Sequence, residues 1–171
     1  MRKHFLGISF AGTLIVLLGG LVAATIAAII IMNLFNTMNT QPYITVSDAY
    51  YVNSSKFLHF HVLFYNVGRS SETLKEIYIY IPTNTSPPSH IIVEVRSNGD
   101  GEGEVLIDRT PIGKAEFNPQ TRRLDPSGGS LNVVIMIDLT QTNINTNNLG
   151  EEILGIAVFS RDTVPIIFRK I

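Results

Sequence analysis

Residues 56–81 read KFLHFHVLFYNVGRSSETLKEIYIYI, two apolar runs separated by a short polar break. In the first run, apolar side chains recur at every second position: Leu58, Phe60, Val62 and Phe64. That is the period of a strand that buries one face. Asn66–Arg69 supplies a turn, and residues 74–81 read as a returning strand. This stretch therefore predicts two consecutive β-strands and sets the class of the region around it.

The rest of the chain from Pro42 onward carries the same kind of pattern. Further β-rich runs are bounded by Pro, Gly, Asn or Ser: residues 43–46, 90–95, 104–108, 131–139, 152–160 and 163–171. Seven or eight short strands with turn signals between them, and no convincing helix, are typical of an antiparallel sandwich. We therefore expect residues 42–171 to form an all-β, immunoglobulin-like antiparallel sandwich.

The final run, VPIIF at Val164–Phe168, is apolar on both faces. A strand in the centre of a sheet explains such a run, and this is the interpretation we favour. Alternatively, the strand pairs with an exposed sheet edge of a neighbouring molecule, because sheet edges accept added strands. Pro165 would then lie near an edge, where proline is usually confined.

The N-terminal region is of a different kind. From Phe5 to Phe35, 31 residues contain no Asp, Glu, Lys or Arg. A helix of that length spans about 46 Å at 1.5 Å per residue, whereas a bilayer core of about 30 Å needs only about 20 apolar residues. We expect residues 1–41 to comprise a basic leader, one long hydrophobic helix and a short linker.

Three interpretations of the apolar run compete. A cleavable signal peptide has a shorter apolar stretch, followed by a small-residue site such as Val22-Ala23-Ala24. A plain anchor explains Arg2 and Lys3, which place the N-terminus in the cytoplasm and the rest outside. The surplus length favours a third interpretation, in which the helix packs against other helices. Small residues would allow close approach there: Gly12, Gly19, Gly20, Ala23, Ala24, Ala27 and Ala28.

The basic pair Arg2-Lys3, the start Gly7-Ile8-Ser9 and a long uncharged helix leading into a β-domain resemble archaeal type IV pilin-like proteins. This group includes adhesive pilins, archaellins and membrane-anchored accessory or stator proteins of the archaellum. The segments FHVLFYNVGRSSETLKEIYIYI and LDPSGGSLNVVIMIDL are similar to strand–turn patterns in archaeal surface domains. The resemblance implies leader cleavage between Gly7 and Ile8.

The resemblance also implies a role at the cell surface. The first role is a structural subunit of a cell-surface filament, with membrane lipid and other copies of the chain as partners. The second is a membrane-anchored accessory protein that binds archaellum or cell-wall proteins. A competing class, which does not depend on the resemblance, is a tethered binding or adhesion module.

Composition argues against several other classes. Downstream of the apolar run, 14 acidic and 11 basic residues give a net charge of about −3, so no nucleic acid partner is expected. The chain has no cysteine, which excludes disulfides, thiolate metal sites and cysteine nucleophiles. No catalytic fingerprint or acid–base pair at a recognisable spacing occurs. We expect neither an enzyme nor a cofactor.

Three smaller features complete the sequence. His59 and His61 share a strand face and could begin a metal site, although a solvated or interface face is the simpler explanation. The acidic turn at 98–104 has oxygen ligands but not the spacing of an EF-hand loop. Asn53 and Asn84 each begin an Asn-x-Ser/Thr triplet, the acceptor pattern for N-glycosylation, in predicted loops.

Overall fold

The computed structural model describes residues 4–39, 43–83, 89–99 and 101–171. The chain divides into two compact units, Met1–Thr40 and Gln41–Ile171, and each is described by itself. In the first unit a single helix, α1, spans His4–Asn39. The predicted long N-terminal helix is therefore confirmed.

The second unit is built from ten strands. Their bounds are β1 Ile44–Asn53, β2 Phe57–Asn66, β3 Glu72–Thr83, β4 Ser89–Ser97, β5 Glu102–Ile107, β6 Thr110–Asn118, β7 Arg123–Leu124, β8 Gly129–Asp138, β9 Glu152–Phe159 and β10 Thr163–Lys170. Two short 3₁₀ turns, Leu139–Gln141 and Thr146–Asn148, lie between β8 and β9.

These strands form a closed barrel, not the immunoglobulin-like sandwich that the sequence predicts. Nine strands follow one another in the order β4-β5-β6-β8-β2-β1-β10-β9-β3, and β3 pairs again with β4 to close the ring. The short β7 pairs with the start of β3. All neighbours in the ring are antiparallel except β1 and β10, which are parallel. The prediction of a sandwich was wrong because one continuous sheet curls onto itself instead of stacking as two layers.

The interior of the barrel holds the hydrophobic core. On β2 the alternating residues Leu58, Phe60, Val62 and Phe64 are fully buried, as their period indicates. Aromatic contacts cross the interior, with ring centroids 4.9 Å apart for Phe60 and Phe168 and 5.3 Å apart for Phe64 and Phe159. A barrel of this size is filled by its own side chains, which leaves the outer face of the strands for other contacts.

β6 is the one strand of the closed ring that the sequence did not predict. It begins after a two-residue turn in which Asp108 and Arg109 take positive φ angles of 48° and 68°. Such turns match the twist of a hairpin but usually contain glycine. β6 links β5 to β8, so the ring cannot close without it. β1 is also longer than the predicted strand at 43–46.

Two buried polar residues hold the loops at the end of the barrel where β1 begins. The Asn66 amide donates to the carbonyls of Ser70 (2.7 Å) and Leu124 (3.2 Å) and accepts from the Gly68 N–H (3.0 Å). The Glu72 carboxylate accepts from the Arg161 side chain at 2.6 Å and from the Arg161 backbone N–H at 3.1 Å. These contacts fix the β2–β3 loop and the predicted turn at Arg161-Asp162.

Candidate functional site

The surface of helix α1 is apolar on every side. The segment Gly12–Leu34, of 23 residues, is long enough and apolar enough to cross a membrane. A signal sequence near an N-terminus has the same length and composition. Every residue of this segment is exposed within its unit. The Thr25 hydroxyl is satisfied inside the helix, donating to the Leu21 carbonyl at 2.8 Å. The helix therefore presents no polar side that would face water.

The small residues singled out from the sequence all lie in α1. Gly19, Ala23 and Ala27 follow one another at four-residue spacing, and a second row at the same spacing lies beside them: Gly20, Ala24 and Ala28. Residues four apart share a helix face, so the rows form one band. A Cβ placed at Gly12, Gly19 or Gly20 meets no atom within 4 Å, which leaves room for a neighbouring helix. Gly7 and Ile8 also lie within the helix, near its start.

The outer face of the barrel carries an apolar band across four strands. Strand register places Ile92, Tyr80, Leu154 and Ile167 in one row across β4, β3, β9 and β10. Tyr78, Ile156 and Pro165 lie beside them in the next row. Three of its aliphatic members are strongly exposed, with exposed fractions of 57% for Leu154, 51% for Ile92 and 48% for Ile167. We call these seven residues the outer apolar band.

Charged groups border the outer apolar band on two sides. Arg96 lies beside Glu94 and within 4.0 Å of Glu76, and the Tyr78 hydroxyl donates to Glu76 at 2.6 Å. On the other side Arg169 and Glu152 are 3.6 Å apart. An apolar area bordered by charged groups is typical of a surface that contacts another molecule.

A seam opens in the barrel between β1 and β10. The two strands pair only at their ends, where Tyr50 lies opposite Arg169 and Tyr51 opposite Lys170. Upstream of these pairs a cleft of about 370 Å³ separates them, lined by Val46, Ser47, Asp48, Ala49, Pro165, Ile167 and Arg169. β10 therefore has a neighbour on both sides, as the favoured interpretation of VPIIF requires, but on the β1 side only over its last residues.

A second cleft, of about 540 Å³, lies at the end of the barrel where β4 begins and β10 ends, opposite the end that holds Asn66 and Glu72. It is lined by the start of β4, the β5–β6 turn and the polar segment after β8: His90, Ile91, Ile92, Ile107, Asp108, Thr110, Ile112, Gln141, Thr142 and Asn143. Its polar side chains include one imidazole and one carboxylate. It lies outside the sites that the sequence singled out.

Shifted pKa values have local causes at four described side chains. The hydrogen bond to Glu76 and burial raise the pKa of Tyr78 to about 12. Burial raises the pKa of Tyr51, whose hydroxyl donates to the Gly150 carbonyl. Hydrogen bonds from Thr140 lower the pKa of Asp138, and the bond to Glu94 raises that of Arg96. Each shift is explained by a structural contact.

The two histidines on β2 both lie on the outer face and are half-buried. The ring of His61 stacks on Tyr50 with centroids 4.7 Å apart, and His59 meets Phe57 edge-on at 6.0 Å. Within the described part of the chain, no three His, Asp or Glu side chains are placed to hold a metal ion. In the acidic turn Glu102 and Glu104 are exposed, and Asp100 lies outside the described residues.

Of the two candidate glycosylation sites, Asn53 is exposed and ends β1. Asn84 lies outside the described residues. The sequence analysis did not predict the outer apolar band or the seam. The available signal was in β9 and β10, whose middle residues are apolar at outward positions (Leu154, Ile156, Pro165 and Ile167) as well as at inward ones. No protein-family model matches this chain, and no curated protein matches its sequence.

Proposed function

We propose that this chain is a structural subunit of an archaeal cell-surface filament related to type IV pili or the archaellum. In this proposal α1 packs with copies of itself in the core, and the β-domain is displayed outside. The chain is non-enzymatic and begins as a single-pass membrane protein whose N-terminus is cytoplasmic, in accord with Arg2 and Lys3 before the helix.

The observation that carries the proposal is the apolar surface on every side of Gly12–Leu34, together with its band of small residues. Lipid covers such a surface, and so do other helices of the same kind. Helix packing also accounts for an uncharged run about ten residues longer than a bilayer core requires. The resemblance of the N-terminus to pilin-like leaders adds the expectation of cleavage after Gly7.

A second function is favoured by the surface of the barrel. The outer apolar band and the seam are features of a domain that binds another molecule. In this alternative the helix stays in the membrane as an anchor. The barrel then acts as an accessory or stator protein that contacts archaellum or cell-wall proteins, or as an adhesion module.

The two functions differ in the N-terminal residue of the mature protein. The test compares the N-terminal mass of the chain from membranes with that from filaments sheared off the cell surface. A start at Ile8 in the sheared fraction supports the filament subunit. An intact Met1 found only in membranes contradicts it and favours the anchor, and a start near Thr25 contradicts both.

A matched pair of variants sharpens this test. Gly7→Leu replaces the small residue at the expected cleavage site and should leave Met1 in place and abolish filaments. Ser9→Ala changes a neighbouring position that the cleavage rule does not use and should be processed normally. Filaments that form from unprocessed Gly7→Leu protein would contradict the proposal.

A further inference from the structure

We propose that the seam between β1 and β10 binds an extended peptide segment of another protein by main-chain strand pairing. The segment carries apolar side chains at alternate positions and a basic residue beside Asp48. This inference rests on the barrel alone and does not depend on whether the chain forms filaments.

The first step is the direction of the backbone groups on β10. The Lys170 N–H donates to the Glu151 carbonyl on the β9 side at 2.9 Å, whereas the Ile171 N–H donates to the Tyr51 carbonyl on the β1 side at 3.2 Å. Neighbouring residues of an antiparallel strand alternate in this way. The main-chain groups of Pro165 and Ile167 therefore point into the seam, toward β1.

The second step is that these groups lie outside the pairing of β1 with β10. That pairing begins at Tyr50 and Arg169, and Pro165 and Ile167, upstream of it, line the cleft. Thr163–Phe168, the part of β10 before the paired residues, is about 20 Å long at 3.3 Å per residue. Pro165 lacks an N–H and so loses nothing by facing the opening, which is the usual position of proline in a sheet. Neither Pro165 nor Ile167 is among the residues of β10 that pair with β1, so in this proposal the Pro165 carbonyl and the main-chain groups of Ile167 pair with the added strand.

The third step concerns β1. Its register with β2 shifts between Val46 and Asp48, which marks a bulge. A bulge bends a strand and increases its local twist. Residues 46–48, where the register shifts, line the cleft on its β1 side. In this proposal the added strand lies beside that bend and displaces no strand of the barrel.

The side chains at the seam define the chemistry of the peptide. Pro165 and Ile167 are exposed on its β10 side and belong to the outer apolar band. An added strand that continues the barrel would place every second side chain next to them. Asp48 is exposed and makes no ion pair among the described residues, so a Lys or Arg in the peptide would meet an uncompensated carboxylate. Strand addition of this kind draws affinity from the main chain and specificity from alternate side chains.

The experiment uses the full chain in detergent micelles and a synthetic library of peptides of about seven residues, the usual strand length. In the library Val, Ile, Leu or Phe alternates with Thr, Lys or Glu. A second library of the same composition has alternate backbone nitrogens methylated, which blocks strand pairing. Bound peptides are identified by mass spectrometry, and their binding sites are mapped by hydrogen–deuterium exchange.

We expect enrichment of Lys-containing peptides from the first library over the methylated one. Amide protection should appear at residues 46–49 and 163–168. Asp48→Lys should lower the affinity for these peptides about three- to tenfold and favour Glu instead, in line with the strength of an exposed ion pair. Glu116→Lys makes the same charge change on the exposed face of β6 and should have no effect.

Three results would overturn the proposal. One is the absence of enrichment over the methylated library, because main-chain pairing is then not involved. Another is protection confined to the outer apolar band or to the cleft at the opposite end of the barrel. The third is an equal effect of Asp48→Lys and Glu116→Lys, since only overall charge would then matter.

Discussion

At the scale of single residues, Glu72 shows how a buried charge holds two loops together. Its side chain is fully buried, whereas its partner Arg161 is about half exposed (52%) and also donates to the Ser71 carbonyl at 2.7 Å. A buried carboxylate is costly unless every oxygen has a partner. The pair therefore makes the β9–β10 turn dependent on a residue at the start of β3.

We predict that Arg161→Ala lowers the free energy of unfolding by about 2–4 kcal/mol, because it leaves the Glu72 carboxylate buried without its charged partner. Adding Glu72→Gln should recover part of the loss, since the neutral amide costs less to bury. Equilibrium unfolding in urea, followed by circular dichroism, measures both. The exposed pair of Arg169 and Glu152 is the control, and Glu152→Gln should change stability by less than about 1 kcal/mol.

A second prediction concerns Tyr78. Its hydroxyl donates to the Glu76 carboxylate, and ionisation would place two negative groups side by side, which is why the pKa rises to about 12. Because the pKa in the folded state is raised, this bond contributes stability fully below about pH 10, the ordinary tyrosine value. The contribution is lost as pH rises toward 12.

The absorbance of tyrosinate as a function of pH tests the prediction. The chain has six tyrosines, and the component that titrates near 12 should move toward the ordinary value in Glu76→Gln. Replacing Glu104, an exposed carboxylate on β5, by Gln should leave the titration curve unchanged. A curve that is identical in Glu76→Gln and the parent chain would refute the assignment.

At the scale of secondary-structure elements, β6 and β8 approach so closely that one position admits only glycine. A Cβ added to Gly113 would lie 2.0 Å from the Met136 carbonyl oxygen, a backbone atom that cannot move aside. We predict that Gly113→Ala destabilises the barrel by roughly 2–3 kcal/mol, the cost of forcing two packed elements apart. Gly150→Ala is the control, because its nearest neighbour would be a carbonyl oxygen at 3.7 Å.

Thermal unfolding of the two alanine variants distinguishes this explanation from a general cost of losing glycine. Alanine also restricts the unfolded chain, which by itself raises stability by about 0.4–1 kcal/mol at compatible positions. Gly150→Ala should therefore melt at or slightly above the parent temperature, and Gly113→Ala well below it. Equal melting temperatures would contradict the close approach of β6 to β8.

The elements themselves were largely predictable. The uncharged run predicted α1, and the alternation of apolar residues predicted the buried face of β2. Both were predictable because each signal depends only on residues close together in the sequence. β6 escaped prediction because its turn uses Asp108 and Arg109 at positive φ in place of glycine, and because the strand contains Pro111 and Gly113. These residues read as a loop when the neighbouring strands are unknown.

At the scale of the whole molecule, alternation could not distinguish a sandwich from a barrel. It reports which face of a strand is buried, and both architectures bury one face of every strand. Closure depends on long-range pairs, of β3 with β4 and of β1 with β10. The candidate sites also divide into those that depend on local sequence and those that depend on long-range pairing. The small residues of α1 could be read from the sequence, whereas the outer apolar band and the seam depend on register.

Closure of the barrel at β1 and β10 depends on the last residues of the chain. We predict that deleting residues 169–171 lowers the free energy of unfolding by at least about 2 kcal/mol, because both β1–β10 pairs and their hydrogen bonds are lost. Deleting Ile171 alone removes the single bond to Tyr51 and should cost about 1 kcal/mol. Urea unfolding of the parent chain and of the two deletion variants measures these costs. Equal losses of unfolding free energy in the two variants would contradict the role of the β1–β10 pairs in closing the barrel.

The parallel pairing of β1 with β10 also decides how the barrel carries mechanical load. Because the two strands run in the same direction, β1 begins at one pole of the barrel and β10 ends at the other. A pull between Tyr43 and Ile171 is then directed along both strands and shears their hydrogen bonds with β2 and β9 together, instead of peeling them apart one at a time. The seam lies along that axis, so a strand bound within it would bridge β1 and β10 and share the load.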